Sequence, residues 1–232
     1  MKLQGLEIAR LDNVTKYYRL GEVQITALNG ITLVLQEGDF TVIAGPSGSG
    51  KSTMLHLLGC IDKPDKGSII IDGADTTGQS LEELTEVRLK RIGFIFQTFN
   101  LVPVLTAFEN VELPLLFRQM GHGEIKDRVD EALHKVGLSD RMRHYPSRLS
   151  GGQQQRVAIA RALVGHPGLI LADEPTANLD SKTGSEIIEL LLRVNQDERV
   201  TILIATHDPA VKGKANNIIN IQDGRINELM SL

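Results

Sequence analysis

The chain has 232 residues, of which 41% are hydrophobic and 23% charged, and its formal net charge is −4. This length can bury a sizeable core, and the composition is that of an ordinary globular protein. The negative charge gives no global basic field for nucleic acid or an anionic membrane, and the single cysteine excludes an internal disulfide and multi-cysteine metal sites.

The first residues, Met1–Glu7, do not read as a signal peptide, because charged residues interrupt any apolar region. No apolar run approaches the length needed to cross a bilayer. We therefore expect no direct membrane insertion and no nucleic-acid partner, and any work at a membrane would go through a partner protein. A single cysteine suits a reducing cytosol.

The early part of the chain predicts short strands around one helix. Residues 11–18 and 26–35 read as strands, and a third strand, 40–44, leads into a glycine-rich loop. Residues 53–58 have the spacing of a helix, and residues 68–73 indicate a strand that closes on a turn. We expect this β-rich material to form a layer beside the glycine-rich loop.

That loop, Gly45–Ser52, has the pattern G-x-x-x-x-G-K-S between a strand and a helix, the setting that gives the pattern its meaning. Its glycines let successive N–H groups point at an anion, and the helix dipole adds to the attraction. Lys51 can reach the β- and γ-phosphates of a nucleotide, and the Ser52 hydroxyl can bind Mg²⁺. The predicted binding residues here are Gly45, Pro46, Ser47, Gly48, Ser49, Gly50, Lys51, Ser52 and Thr53.

The middle of the chain changes character. Residues 80–90 have helical spacing, with Ser80 and Glu83 placed for a capping box, and residues 91–96 predict a strand. Strand signals then disappear and helical patterns dominate. We therefore expect an α-helical subdomain, residues 98–166, inserted into an α/β core.

Two wholly apolar runs, 169–172 and 201–205, indicate strands covered on both faces, as in a parallel sheet between helices. Residues 181–195 predict the helix between them, and a late hairpin is expected around Asp223–Gly224. The predicted fold class is α/β: a P-loop NTPase core with a mainly parallel sheet between helices, an antiparallel β-subdomain and the inserted α-helical subdomain.

Asp173 and Glu174 directly follow one of these apolar runs, where two carboxylates are costly unless something uses them. In an open parallel sheet, ligands bind at this end of the strands. Asp173 can hold Mg²⁺, and Glu174 can polarise an attacking water. The alternative is a charged N-cap for the next helix.

His207 and Gln97 follow two other predicted strands. His207 can contact the γ-phosphate and hold the water and Glu174 in register, and the Gln97 amide oxygen suits Mg²⁺ or the water. Taken alone, a histidine at a strand end is more often structural, and a glutamine there is usually solvated. The predicted catalytic residues are Glu174, His207, Gln97 and Lys51, and the predicted metal ligands are Ser52, Gln97 and Asp173.

A second anion-binding design begins at Ser150. A serine hydroxyl and two glycines, Gly151 and Gly152, open a helix, followed by Gln153. The exposed N–H groups of such a helix start, and its dipole, point at one place. The alternative is an ordinary helix start with Ser150 as its cap.

Taken together, these motifs resemble the nucleotide-binding subunit of an ATP-binding cassette transporter. The phosphate loop, Gln97, the L-S-G-G-Q signature, the Asp173–Glu174 pair, the D-loop 177–180 and His207 occur in the family's order over nearly the whole chain. The resemblance implies an ATPase that uses ATP and Mg²⁺. It also implies that Tyr18 stacks on the adenine, with Tyr17 as the rival by sequence alone.

The family also implies a head-to-tail dimer around two ATP molecules. Ser150 and Gly152 of one copy would close over the ATP held by Lys51 of the other, with Asp180 across the interface. Gln153 and Arg156 are expected to brace the signature helix. The whole chain, 1–232, would be one nucleotide-binding domain, with 1–97 and 167–232 as its RecA-like core plus β-subdomain.

Residues 59–64, 99–111 and 173–181 are similar to the lipoprotein-release and macrolide-export group, although Ala177 stands where much of the group has glycine. That group implies an integral membrane permease with a large extracytoplasmic domain, and often mechanotransmission. A permease helix would dock in the apolar segment 98–117, near the glutamine loop. Alternatively, these side chains fill the helical subdomain's own core. The implied location is cytoplasmic, peripheral on the inner face of the membrane.

Other functions remain as alternatives. A soluble cassette ATPase of DNA repair or translation usually has a long coiled-coil insertion or two cassettes, and neither is found here. A cassette that regulates a cell-division or other membrane complex carries the same motifs, so it stays open. A P-loop kinase lacks support, because no arginine-rich lid is found and the signature would be unexplained.

Overall fold

The structure, a computed structural model, describes residues 6–231, so the prediction about a signal peptide rests largely on residues outside the described part. Its elements fall into two sheets and the helices that cover them. In chain order they are β1 (Glu7–Leu20), β2 (Val23–Gln36), β3 (Phe40–Ala44), α1 (Lys51–Leu58), β4 (Lys66–Ile71), β5 (Ala74–Asp75), α2 (Thr85–Arg91), β6 (Ile92–Ile95), α3 (Ala107–Glu112), α4 (His122–Lys135), α5 (Gly151–Leu163), β7 (Leu169–Asp173), α6 (Ser181–Glu198), β8 (Thr201–Ala205), α7 (Pro209–Lys212), β9 (Asn217–Gln222) and β10 (Arg225–Ser231), with short 3₁₀ helices at Leu113–Phe117 and Pro146–Arg148.

The larger sheet has the strand order β10-β9-β3-β8-β7-β6. Its neighbours run parallel except for β9 and β10, which form the predicted antiparallel hairpin. The smaller sheet, in the order β2-β1-β4-β5, is antiparallel throughout. The predicted α/β class, with a mainly parallel sheet and an antiparallel layer, is confirmed.

The wholly apolar strands are covered on both faces, as their sequences predict. In β7, Ile170 and Ala172 point into a core shared with α4, α5 and α6. Leu169 and Leu171 point into a second core, shared with α1 and the antiparallel sheet. Alternating side chains thus serve two cores, which is why no polar position interrupts the strand. The sheet edge that carries Asp173 is held rigid from both sides.

The segment around residues 80–91 differs from its prediction. The capping-box bonds form, since Ser80 N donates to Glu83 Oε2 at 2.6 Å and Glu83 N donates to Ser80 Oγ at 3.2 Å. Yet the α-helix begins only at Thr85, because Thr85 N bonds to the carbonyl of Glu82, three residues back, in a tight turn. Arg91, predicted to begin a strand, ends this helix, and its guanidinium binds Asp72.

Candidate nucleotide site

The glycine-rich loop lies between β3 and α1. Gly48 and Gly50 have positive φ angles of +77° and +107°, which only glycine adopts readily. No side chain caps α1, so the N–H groups of its first turn are free for an anion. Lys51 Nζ donates to the carbonyls of Gly45 and Pro46, at 2.9 Å each. The ammonium group is therefore held at the mouth of the loop.

The β9–β10 hairpin forms the back wall of this loop. Gly224 N donates to the carbonyl of Ser49 at 3.0 Å. A Cβ atom at Gly45 would lie 2.2 Å from the carbonyl oxygen of Ile221, so no larger residue fits there. The curvature of the loop is thus imposed by β9 and β10, which lie far from it in the sequence.

Ser52 and Asp173 meet at the edge of the sheet, where Ser52 Oγ donates to Asp173 Oδ1 at 3.1 Å. Burial raises the pKa of the Asp173 carboxyl, and the hydrogen bond from Ser52 opposes that shift. A hydroxyl and a carboxylate oxygen side by side are hard ligands of the kind that Mg²⁺ takes together with substrate phosphates. The residues therefore fit the magnesium ion predicted from the sequence.

Glu174 is held by hydrogen bonds to both of its carboxylate oxygens. His207 Nδ1 donates to Oε1 at 2.9 Å, and Thr206 Oγ1 donates to Oε2 at 3.2 Å. Because a carboxylate only accepts, this bond leaves Nε2 of a neutral His207 free to accept. Glu174 also has a φ of +45°, a strained conformation that clusters at functional sites.

Thr206 was not among the residues predicted from the sequence. Its signal was a hydroxyl-bearing residue directly after the predicted strand 201–205 and directly before His207. Its side chain is fully buried, so the hydroxyl that binds Glu174 is itself held in a fixed position.

Gln97 lies just beyond β6. Its backbone carbonyl accepts a hydrogen bond from Asn178 Nδ2 at 2.8 Å, which ties it to the D-loop. Its side chain is exposed, and within residues 6–231 its amide makes no hydrogen bond to Ser52, Asp173 or Glu174. The structure therefore places the backbone of Gln97 beside the site but does not join its side chain to the carboxylates.

The two adjacent tyrosines point to different places. The Tyr18 hydroxyl donates to Asp62 Oδ2 at 3.0 Å, and it lies near the side chain of Thr53, in the first turn of α1. The Tyr17 ring instead faces Lys66, whose Nζ is 5.9 Å from the ring centroid. Of the two, Tyr18 is the residue that lies beside the glycine-rich loop.

The helix start at Ser150 has a complete capping box. Ser150 Oγ accepts from Gln153 N at 3.3 Å, and Gln153 Oε1 accepts from Ser150 N at 3.0 Å. A Cβ atom at Gly152 would lie 2.4 Å from Thr183 Cγ2, so α5 begins in close contact with α6. Arg156 donates to the carbonyl of Val136 at 3.1 Å, a bracing contact.

Asp180 caps α6, since its carboxylate accepts from Thr183 N at 3.0 Å and from Thr183 Oγ1 at 2.6 Å. Among the described residues, no hydrogen bond joins Asp180 or residues 150–153 to the glycine-rich loop. The chain thus holds Lys51, Ser52, Asp173, Glu174 and His207 in one group, and the signature residues in another.

This chain is similar to known proteins over most of its length. The sequence model of a family described as ABC transporter matches residues 28–177, more than half of the chain. An uncharacterized ABC transporter ATP-binding protein of Thermotoga maritima is 49% identical over 220 residues, which cover 95% of this chain and 94% of that protein.

Two further relatives carry more specific descriptions. The macrolide export ATP-binding/permease protein MacB of Syntrophobacter fumaroxidans is 44% identical over 223 residues, which cover 95% of this chain but 31% of that protein. Among solved structures, the ATP-binding cassette MJ0796 in a dimeric post-hydrolysis state, bound to ADP and Pi, has a TM-score of 0.89 and 48% identity, covering 97% of this chain and 98% of that one. MJ0796 comes from Methanocaldococcus jannaschii.

Proposed function

Because this chain belongs to the ABC transporter family and is one of its ATP-binding ATPases, we propose that it is the subunit that hydrolyses ATP to drive a membrane partner. The observation that carries the proposal is the division of the site into two groups within one chain. One group holds the residues that bind and hydrolyse a nucleotide, and the signature residues face elsewhere.

The first group would bind ATP and act on it. Lys51 and the free N–H groups of α1 hold the phosphates, and Tyr18 stacks on the adenine. Ser52 and Asp173 would hold Mg²⁺, which supplies charge neutralisation at the phosphates when bound, and the exposed amide of Gln97 would complete its ligands. Glu174 accepts the proton of the attacking water, and His207 and Thr206 keep its carboxylate aimed.

The second group would act on another copy. In a head-to-tail pair, Ser150, Gly151, Gly152 and Gln153 of one copy close over the ATP of the other, and Asp180 lies at the interface. The Ser150 Oγ lone pair is used by its cap, but its hydroxyl proton remains available for a phosphate. The dimeric state of the MJ0796 cassette supports this arrangement. The chain would thus be a single nucleotide-binding domain with a helical signature subdomain, residues 98–166.

The membrane partner would dock beside the helical subdomain. Leu116 and Phe117 are 52% and 74% exposed, whereas Val111 and Leu115 in the same segment are fully buried. A groove of about 610 Å³ lies between Phe117, Met120 and α2. Val111 and Leu115 therefore fill the core of the helical subdomain, and the exposure of Leu116 and Phe117 supports a docking site for a permease helix.

Membrane attachment would come from this partner. No helix among residues 6–231 has the length and apolarity of a membrane span. MacB is described as an ATP-binding/permease protein, which supports a permease as the partner of this chain. We propose a location on the cytoplasmic face of the membrane and a role in export, lipoprotein release or mechanotransmission. Co-purification from native membranes would identify the permease.

The variant Glu174→Gln tests the central proposal. It keeps the shape of the side chain but removes the general base, so ATP hydrolysis should fall about 10²–10⁴-fold while ATP binding is retained. ATP and Mg²⁺ should then trap a dimer on a sizing column. Glu189→Gln, at an exposed carboxylate on α6, is the matched control and should behave as wild type. A Glu174→Gln chain that stays monomeric with ATP and Mg²⁺ would refute the dimer.

A further inference from the structure

The guanidinium of Arg161, on α5, binds the backbone of the loop that follows Gln97. Nη1 donates to the carbonyl of Asn100 at 2.6 Å, and Nη2 donates to the carbonyl of Phe99 at 2.8 Å. Burial lowers the pKa of this guanidinium, and no carboxylate pairs with it in the described part of the chain. A half-buried cation whose partners are neutral carbonyls loses part of its hydration without gaining a counter-charge, so these two bonds need a further explanation.

The carbonyls that Arg161 binds belong to two strained residues. Phe99 and Asn100 have φ angles of +59° and +49°, and such angles are rare for a residue as large as phenylalanine. Strain of this kind persists only where the surroundings fix it, and it clusters at functional sites. Asn100 N also bonds to the carbonyl of Thr98 at 2.6 Å, which closes the turn. Arg161 therefore holds a turn that the chain alone would not favour.

The same loop is held from a second side. Asn178, in the D-loop, donates from Nδ2 to the carbonyl of Gln97 at 2.8 Å. Near the start of α5, a Cβ atom at Gly151 would lie 3.9 Å from Phe99 Cζ and 4.0 Å from the carbonyl oxygen of Asn178. Residues 97–100, the glutamine loop, thus lie between α5 and the D-loop. Arg161 of α5 and Asn178 of the D-loop each donate hydrogen bonds to its backbone.

We infer that Arg161 and Asn178 are positioning residues for Gln97: they fix its own carbonyl and the turn that directly follows it, so that its amide is delivered to the metal and the attacking water. The inference rests on the role proposed above for Gln97. The free side chain of Gln97 and its pinned backbone fit this role, because a fixed anchor limits where an otherwise mobile amide can reach.

A double-mutant cycle tests the inference through ATPase kinetics of the full chain. Arg161→Met should lower kcat about 10-fold and raise the half-saturating Mg²⁺ concentration, as loss of a residue that orients a metal ligand does, with ATP binding changed less than about 2-fold. Combined with Gln97→Ala, it should add nothing to the loss that Gln97→Ala causes alone. Arg161→Lys, which keeps the charge and can make one of the bonds, should recover part of the activity.

Arg156→Met is the matched control. Arg156 lies on the same helix and also donates to a backbone carbonyl, but to that of Val136, away from the glutamine loop. Its loss should change thermal stability without changing the Mg²⁺ dependence. Asn178→Ala, at an exposed side chain, repeats the test from the other side of the loop and covers the case in which Arg161→Met does not fold.

Three outcomes would overturn the inference. Wild-type kcat and Mg²⁺ dependence in both Arg161→Met and Asn178→Ala, beside an impaired Gln97→Ala, would overturn this inference alone. Losses that multiply in the double variant would show that Arg161 acts apart from Gln97. Full activity of Gln97→Ala would remove the proposed role of Gln97, and the inference with it.

Discussion

Two helices of this chain begin at glycine-rich motifs, and their first turns are built in opposite ways. The start of α1 has no side-chain cap, a glycine N-cap at a φ of +107°, and a lysine that folds back on its own loop. The start of α5 has a full capping box between Ser150 and Gln153. The first leaves its backbone donors for a ligand, whereas the second has already satisfied one of its own.

This difference indicates a division of labour. An uncapped helix start is unfavourable until an anion arrives, so α1 is suited to bind a nucleotide by itself. A capped start is rigid and keeps fewer donors, so α5 is suited to complete a site that another copy has filled. The buried carboxyl of Asp173 adds to the cost on the α1 side, because burial raises its pKa.

Lys51→Ala should have the largest effect. Loss of a charged hydrogen-bond donor to the phosphates should weaken ATP binding by about 100-fold or more. Equilibrium binding of ATP to the isolated chain measures this. The Ser150→Ala chain, measured beside it, should bind ATP as wild type when no dimer forms. Wild-type binding by Lys51→Ala would remove the glycine-rich loop from its proposed role.

Ser150→Ala should come next, with separate effects on thermal stability and on the ATP-dependent dimer. Loss of the helix cap should cost about 1 kcal/mol, which lowers the Tm of a chain of this size by roughly 2–4 °C. The ATP-dependent dimer should also be lost, and ATP hydrolysis with it. The variant lacks the hydroxyl that would contact the ATP held by the second copy.

A matched control separates these two effects. Thr106→Ala removes the cap of an equivalent capping box, on α3, between Thr106 and Glu109. It should lower the Tm by a similar amount and leave the ATP-dependent dimer intact. Equal loss of the dimer in both variants would mean that stability, and not phosphate contact, explains the result for Ser150.

Asp173→Asn should have the smallest effect on stability, and of opposite sign. In chelator and without nucleotide, it should raise the Tm at pH 8, by less than the loss expected for Ser150→Ala. A raised pKa means that the folded chain binds the proton more tightly than the unfolded chain, so stability falls as the pH rises through that pKa. The gain from asparagine should therefore shrink as the pH is lowered towards the usual aspartate range. A Tm below that of wild type at pH 8 would contradict the destabilisation assigned to the Asp173 carboxylate.

The sequence predicted the elements that a single local pattern defines. The strands β7 and β8 are apolar except for Asp173 at the end of one and Thr201 at the start of the other, because both faces are buried, and that pattern is visible without a structure. The helix before β6 begins at Thr85 and not at residue 80 as predicted, because the capping-box bonds of Ser80 and Glu83 also form on a tight turn. Spacing alone cannot distinguish the two.

Contacts between distant segments were out of reach of the sequence. The order of strands in the larger sheet places β8 between β3 and β7, and no local pattern encodes it. For the same reason the bonds from Thr206 to Glu174 and from Arg161 to Asn100 were not foreseen. The motifs identified side chains that can bind a nucleotide or a metal. Which of these side chains hydrogen-bond to one another depends on how the two cores bring distant loops together.

The contact between the glycine-rich loop and the β9–β10 hairpin has a consequence for the order in which the protein is made. Ser49 and Gly45 depend on Gly224 and Ile221 for their shape, yet those residues leave the ribosome long after the loop does. These contacts can therefore form only after α5 and the rest of the middle of the chain have been made. During synthesis the loop is among the last parts of the nucleotide site to be completed, when the hairpin packs against it.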